Sequence, residues 1–275
     1  MIKTNVMNIN RWEDCVTVSF PSFDATGVVK HAFSTRFGGV SRGIYESMNL
    51  SFSLGDEEEN VTENYRRFAA SLGIDYKDLV FSKQTHTDNI RIVTAEDLGK
   101  GIIKERDYDN IDALITNVSG VPLCTHYADC VPIYFLDPEK KVAAMAHAGW
   151  RGTAAEIARK TAEKMIETFG CDPKDILAGI APSISKCCFE VDDPVMDKMK
   201  LIDGINLASA YQDKGNGKYM LDLKHVNKMI LMKAGIPESN ITVSDICTCC
   251  QSDAFHSHRA TGGKRGSLAG IIQLI

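Results

Sequence analysis

The sequence predicts a mixed α/β fold of the α+β kind, with helices covering mixed sheets. Three observations carry that expectation. Short apolar runs that read as strands outnumber the stretches with helical periodicity. Some runs are joined by turns too short for a crossover helix, as at Asp137-Pro138-Glu139-Lys140. Strand and helix signals also lack the steady βαβ alternation of a parallel sheet. No linker interrupts the 275 residues, so residues 1–275 are expected to form a single domain.

The elements follow in chain order. Residues 16–20 and 28–34 read as early strands, and a glycine-rich loop covers 37–43. Asp56 opens a helix whose first turn holds Glu57, Glu58 and Glu59, acids that suit the positive end of the helix dipole. Tyr65, Phe68, Ala69 and Leu72 give that helix an apolar stripe, and Gly73 ends it. Residues 79–82 and 90–93 read as strands flanking Gln84-Thr85-His86. Short apolar runs at 113–115, 121–124, 131–136 and 142–147 follow, the last two forming an antiparallel hairpin. A helix is expected over 153–169, where Ile157, Ala158, Thr161, Met165 and Phe169 share a face. After a strand at 176–180, Asp222 caps a helix running to Lys233, which Gly235-Ile236-Pro237 stops. Strands at 241–243 and 268–274 complete the chain.

Composition narrows the function. A net charge of −5 with no basic run argues against nucleic-acid binding. The longest apolar runs, 131–136 and 142–146, are far short of a membrane span. Met1-Ile2-Lys3-Thr4-Asn5 lacks an apolar signal core, so a cytoplasmic location is expected. Nine cysteines, an odd number spread along the chain, do not make the dense framework of a small secreted domain. Metal binding and catalysis are then the relevant uses of these thiols.

Cys130 precedes one apolar run and His147 ends the next, so the hairpin can bring thiolate and imidazole to one rim of a sheet. With His86 they form a donor set suited to zinc, leaving a fourth position open as in catalytic sites. The same pair equally fits a cysteine nucleophile, with His147 as base and Asp129 or another carboxylate orienting it. Arg36 before Gly38-Gly39, and Arg151 before Gly152 and a helix start, suggest an anion or phosphate cradle. Cys247-Thr248-Cys249-Cys250 contains a C-x-x-C, and Cys187-Cys188 lies elsewhere. No second C-x-x-C accompanies them, so packed thiols are the expectation. The 38–43 loop lacks a G-K-[ST] ending and no G-x-G-x-x-G follows a strand, which leaves ATP and nicotinamide cofactors unsupported.

Taken in order, a series of motifs resembles one family: Thr35-Arg36-Phe37-Gly38-Gly39-Val40-Ser41, the stretch 45–50, Gln84-Thr85-His86, Asp112-Ala113-Leu114-Ile115-Thr116, Ala128-Asp129-Cys130-Val131-Pro132, His147-Ala148-Gly149-Trp150-Arg151-Gly152, Cys188-Phe189-Glu190-Val191, Cys247-Thr248 and Ser257-His258-Arg259. The chain is similar to the YfiH/YlmD family, the polyphenol oxidoreductase laccase-domain family. The resemblance implies a layered α-β-β-α sandwich with mixed sheets. It also implies a metal site of His86, Cys130 and His147, holding zinc, with copper also claimed in the family. The implied reactions are phosphorolysis of adenosine, inosine, guanosine and methylthioadenosine, and deamination of adenosine. Purine nucleosides and inorganic phosphate would be the small-molecule partners.

On that reading Asp129 is a candidate proton shuttle or orienting group. Arg36 or Arg151 would hold phosphate, and Asn49 and Gln84 would bind ribose or base, with Arg259 completing the substrate-binding set. The chain departs from the family's usual pattern at Ala260 and Lys264, near the C-terminal part of that pocket. Other readings stand beside it: a cysteine hydrolase or amidase built on Cys130 and His147, acting on a peptidoglycan precursor; a copper-dependent polyphenol oxidase; and a non-enzymatic metal-binding protein. Seven histidines with one H-x-H, His256 and His258, are too few for the blue-copper and trinuclear sites of a multicopper oxidase.

Overall fold

Two six-stranded sheets stack face to face in the computed structural model, which describes all 275 residues. The first contains β1 (Asn8–Trp12), β2 (Cys15–Ser19), β3 (Val29–Ser34), β4 (Val80–Phe81), β7 (Leu123–Tyr127) and β15 (Leu268–Leu274), in spatial order β1-β2-β3-β15-β7-β4. The second contains β5 (Ile90–Ile92), β6 (Ala113–Thr116), β8 (Val131–Asp137), β9 (Val142–Ala148), β10 (Leu177–Ile180) and β14 (Ile241–Val243), in order β14-β10-β8-β9-β6-β5. Both are mixed: β4 runs parallel to β7, β5 to β6 and β10 to β14, while the other pairs are antiparallel. A small antiparallel sheet of β11 (Glu190–Asp192), β12 (Tyr211–Gly215) and β13 (Lys218–Leu221) lies apart.

Seven helices complete the chain: α1 (Pro21–Asp24), α2 (Glu58–Ala70), α3 (Trp150–Ala154), α4 (Ile157–Phe169), α5 (Asp193–Met199), α6 (Leu223–Lys233) and α7 (His258–Thr261). The period-two alternation of the strands builds the layers. On β9, Val142, Ala144 and Ala146 face a core shared with Ile157, Met165 and Ile230 of α4 and α6. Ala143 and Met145 face the opposite way, into a core between the sheets with Val18, Phe33, Leu123 and Leu268. On the far side of the first sheet, Ala32, Cys124 and Ile271 pack under Val61, Tyr65 and Phe68 of α2. The result is the expected α-β-β-α sandwich. Tyr134 ties the sheets together by donating a 2.8 Å hydrogen bond to the Ala32 carbonyl. No helix is long and apolar enough to cross a membrane.

The expected hairpin forms in full, with Val131 opposite Ala148 and Pro132 opposite His147. Three features differ from the sequence expectation. The helix expected over 153–169 is broken. Thr153 and Ala154 belong to the short α3, and Glu156 adopts φ +57° before α4 begins. The Glu156 carboxylate holds that corner through 2.9 Å bonds from Arg159 and Lys233, which no glycine or proline announces. The edge strand β1 has no buried residue, and its Ile9 and Trp12 are three apart rather than alternating, so no period-two stripe marks it. The small sheet and α5 were not expected at all.

Candidate metal centre

Cys130 sits just before β8 and His147 lies near the end of β9, so strand pairing brings them to one rim of the second sheet. His86 arrives from the loop after β4 with φ +65°. The ligand atoms of the three lie within 4.8 Å of one another, and Cys130 Sγ is 3.9 Å from His86 Nε2.

Asp112, fully buried, organises this arrangement. Its Oδ1 accepts a 3.1 Å bond from the His86 amide, and its Oδ2 accepts the amides of Thr85 (3.1 Å) and Thr87 (2.8 Å). Oδ1 is also 2.8 Å from Nδ1 of His147. An ionised carboxylate can only accept, so Nδ1 carries the proton and the Nε2 lone pair is left for a ligand role. Burial disfavours an ionised Asp112, but the bonds from His147 and the loop amides outweigh it and hold the carboxyl down to about 2. Burial likewise opposes charge on Cys130 and His147. Their mutual attraction wins, holding the thiol down to about 6 and raising the imidazole to about 9. The metal-free pair is thus a thiolate beside an imidazolium, and a divalent metal would displace the Nε2 proton of His147 and take both side chains as ligands.

Gly149 adds a test of fit. A Cβ there would lie 2.9 Å from His86 Cδ2 and 3.1 Å from Cys130 Sγ. Its φ of −61° and ψ of 170° are open to any residue, so space, not backbone conformation, requires glycine. One thiolate and two imidazoles, one of them oriented by a carboxylate, suit zinc with an open fourth position.

The centre lies in the wall of a cavity of about 840 Å³. His86, Cys130, His147, Gln84, Asp129 and Arg259 all line it, so six of the sequence-predicted residues come together. Gln84 bridges to the backbone of His126, accepting its amide and donating to its carbonyl, both at 2.7 Å. Asp129 has φ +81°, and its carboxylate accepts Thr248 Oγ1 at 2.6 Å and the Arg259 amide at 2.7 Å.

Arg36, Asn49 and Arg151 do not line the cavity. The Arg36 guanidinium donates to the carbonyls of Glu46 and Ser252, tying loops together. Asn49 is fully buried, with both donors used by Ser51 and Asp56 and its oxygen accepting from Ser51 and Ser267. Arg151 is exposed and stacks 4.2 Å over the Trp150 ring. Three other arginines do reach the cavity: Arg106, Arg259 and Arg265. Arg265 is partly buried, and its Nε has no hydrogen-bond partner. Sequence reasoning missed Arg106 altogether; neither a glycine nor a helix start marks it.

Residues 30–275 match the family described as multi-copper polyphenol oxidoreductase laccase. The chain belongs to this family. It is 38% identical to the purine nucleoside phosphorylase YlmD of Bacillus subtilis (strain 168), over 87% of this chain and 86% of that protein. It is 35% identical to the adenosine deaminase RL5 of an unknown prokaryotic organism, over 86% and 90% respectively. The crystal structure of the Bacillus licheniformis hypothetical protein YfiH superposes with a TM-score of 0.91 at 35% identity, covering 97% of this chain and 99% of that one. Purine-nucleoside processing is therefore an activity of this laccase-domain family, and copper stands only in the family's description.

Proposed function

We propose that this chain is a zinc-dependent purine nucleoside enzyme. It cleaves adenosine, inosine, guanosine and methylthioadenosine with phosphate and deaminates adenosine. The observation that carries this reading is the opening of the His86, Cys130 and His147 donor set onto a cavity that three arginines also line. When bound, zinc supplies a Lewis acid and acidifies water at its open position.

The chain's own residues do the rest. Asp112 orients His147 and fixes the His86 loop, so the donors are held before metal arrives. Arg265 and Arg106 hold inorganic phosphate, offsetting its charge as the glycosidic bond breaks, while Arg259, whose guanidinium donates to the Cys188 and Glu190 carbonyls, shapes the wall beside them. Phe52, Trp150 and Phe189 in the lining give the flat purine apolar surface to rest on. Asp129 anchors the Arg259 amide and remains within the lining as the proton carrier for deamination.

Adenosine incubated with and without phosphate, with products separated by chromatography, tests this. Adenine and ribose 1-phosphate appearing only with phosphate support phosphorolysis, and inosine supports deamination. No product from a zinc-loaded chain defeats the proposal. One observation favours a second reading, a cysteine hydrolase: Asp112, His147 and Cys130 also line up as orienting carboxylate, base and thiol. Metal analysis of protein purified without added metal separates the two, since a nucleophile has no need of bound zinc.

A further inference from the structure

Cys187 and Cys188 lie on one loop, and Cys247 and Cys250 on another some sixty residues later, yet their four Sγ atoms all fall within 4.8 Å of one another. Cys250 Sγ is 3.4 Å from Cys187 Sγ and 3.3 Å from Cys188 Sγ. All nine cysteines are free thiols. The C-x-x-C at 247–250 therefore has its missing partner pair in Cys187-Cys188, a juxtaposition the sequence hid because that pair is adjacent in the chain rather than spaced.

Four thiolates at about 2.3 Å from one zinc ion stand about 3.8 Å apart; the two Cys250 separations fall a few tenths of an ångström inside that value, and no pair exceeds 4.8 Å. We propose that Cys187, Cys188, Cys247 and Cys250 hold a second metal ion, a structural zinc in a closed tetrathiolate site, distinct from the cavity centre.

The surroundings suit that role. The Ser185 amide points at Cys247 Sγ from 3.4 Å, the kind of backbone donor that supports a metal-bound thiolate. Zinc with four thiolates carries two net negative charges. A cation is buried close by: Lys224 donates 2.9 Å bonds to the carbonyls of Ser244 and Ile246, and Ile246 immediately precedes Cys247. The two loops leave the paired strands β10 and β14 side by side, and backbone contacts continue between them. Ser183 bridges Cys247, and the Thr248 amide donates to the Ser183 carbonyl at 3.1 Å.

Both loops also reach the cavity wall. Thr248 donates to the Asp129 carboxylate, and Arg259 donates 2.8 Å to the Cys188 carbonyl. The metal clip thereby fixes the ground on which Asp129 and Arg259 stand, so its loss softens the cavity from behind without removing a cavity ligand.

Metal counting tests the proposal directly. Protein purified without added metal is expected to hold two zinc ions per chain. Cys130→Ala lowers this to one, Cys250→Ser lowers it to one, and Cys249→Ser, outside the cluster, keeps both. Should Cys250→Ser not fold, cobalt loading of the Cys130→Ala chain gives the answer. Strong thiolate-to-cobalt charge-transfer bands with tetrahedral d–d bands support the site. A single zinc that disappears with Cys130→Ala overturns it. So does a disulfide among Cys187, Cys188 and Cys250 found by non-reducing peptide mapping of native protein.

Discussion

Asp112 and His147 face each other with Oδ1 2.8 Å from Nδ1, and the same carboxylate accepts three amides of the His86 loop. One side chain therefore positions two of the three candidate ligands. Asp112→Asn keeps the shape but removes the charge and turns a donor toward groups that are themselves donors. Zinc affinity in the cavity is expected to fall on the order of 10–100-fold. Competition with a chromogenic chelator measures it, and an unchanged affinity would refute the positioning role.

Gly149 has a sharper signature. The Cβ of Gly149→Ala would crowd His86 and Cys130, while the backbone angles accommodate alanine without strain. The variant should melt within a few degrees of the parent yet lose metal from the cavity. Full zinc content together with full activity would mean that the space beside Gly149 is not needed.

Phosphate binding distinguishes arginines that look alike in sequence. Arg265→Gln should raise KM for phosphate about 10-fold or more, the worth of one charge-assisted hydrogen bond. Arg36→Gln should leave that KM unchanged and lower the melting temperature instead, because its guanidinium ties the carbonyls of Glu46 and Ser252. Steady-state phosphorolysis rates over a range of phosphate concentrations check both. The opposite pattern would return the phosphate site to Arg36.

His31 gives the fold a pH dependence of definite sign. It is buried, accepts the Phe20 amide at 2.8 Å on Nε2, and burial pushes its pKa down from 6.5 to about 4. The unfolded chain therefore binds the extra proton first as pH falls, and the folded state loses stability from about pH 6.5 downward to pH 4. By pH 5 that loss is about 2 kcal/mol. His31→Asn should be the less stable chain at pH 7, with the gap closing by about that amount at pH 5. Parallel stability curves for the two proteins, by urea unfolding, would contradict it.

How much of this was legible in the sequence depends on how local the signal is. The β8–β9 hairpin, the Asp222-capped helix and the terminal strand all appear where composition and turn residues place them, because each rests on its own apolar period and punctuation. The break at Glu156 does not, since it is held by Arg159 and Lys233, and Lys233 lies 77 residues further on. The small sheet escaped because β12 is almost wholly exposed and β11 is only three residues long.

The candidate site divides along the same line. Cys130 and His147 are readable because a hairpin joins them, and His86 becomes readable through the family's motifs. Arg36 and Arg151 show the right chemistry beside glycines, but residue type does not reveal where a guanidinium points. One is consumed by carbonyls and the other lies on Trp150. The four-cysteine cluster was passed over for a related reason: a vicinal pair has no ligand spacing of its own and takes meaning only when another loop folds onto it.

The hairpin that carries Cys130 and His147 is buried on both faces, whereas His86 rides on an exposed loop fastened through Asp112. The two jaws of the metal centre thus differ in stiffness. His147 is held within a buried strand and Cys130 is tethered where the paired strand begins, while His86 swings once a few amide bonds let go. A metal held there would exchange most readily by way of His86, at a cost set by the grip of one carboxylate on one loop.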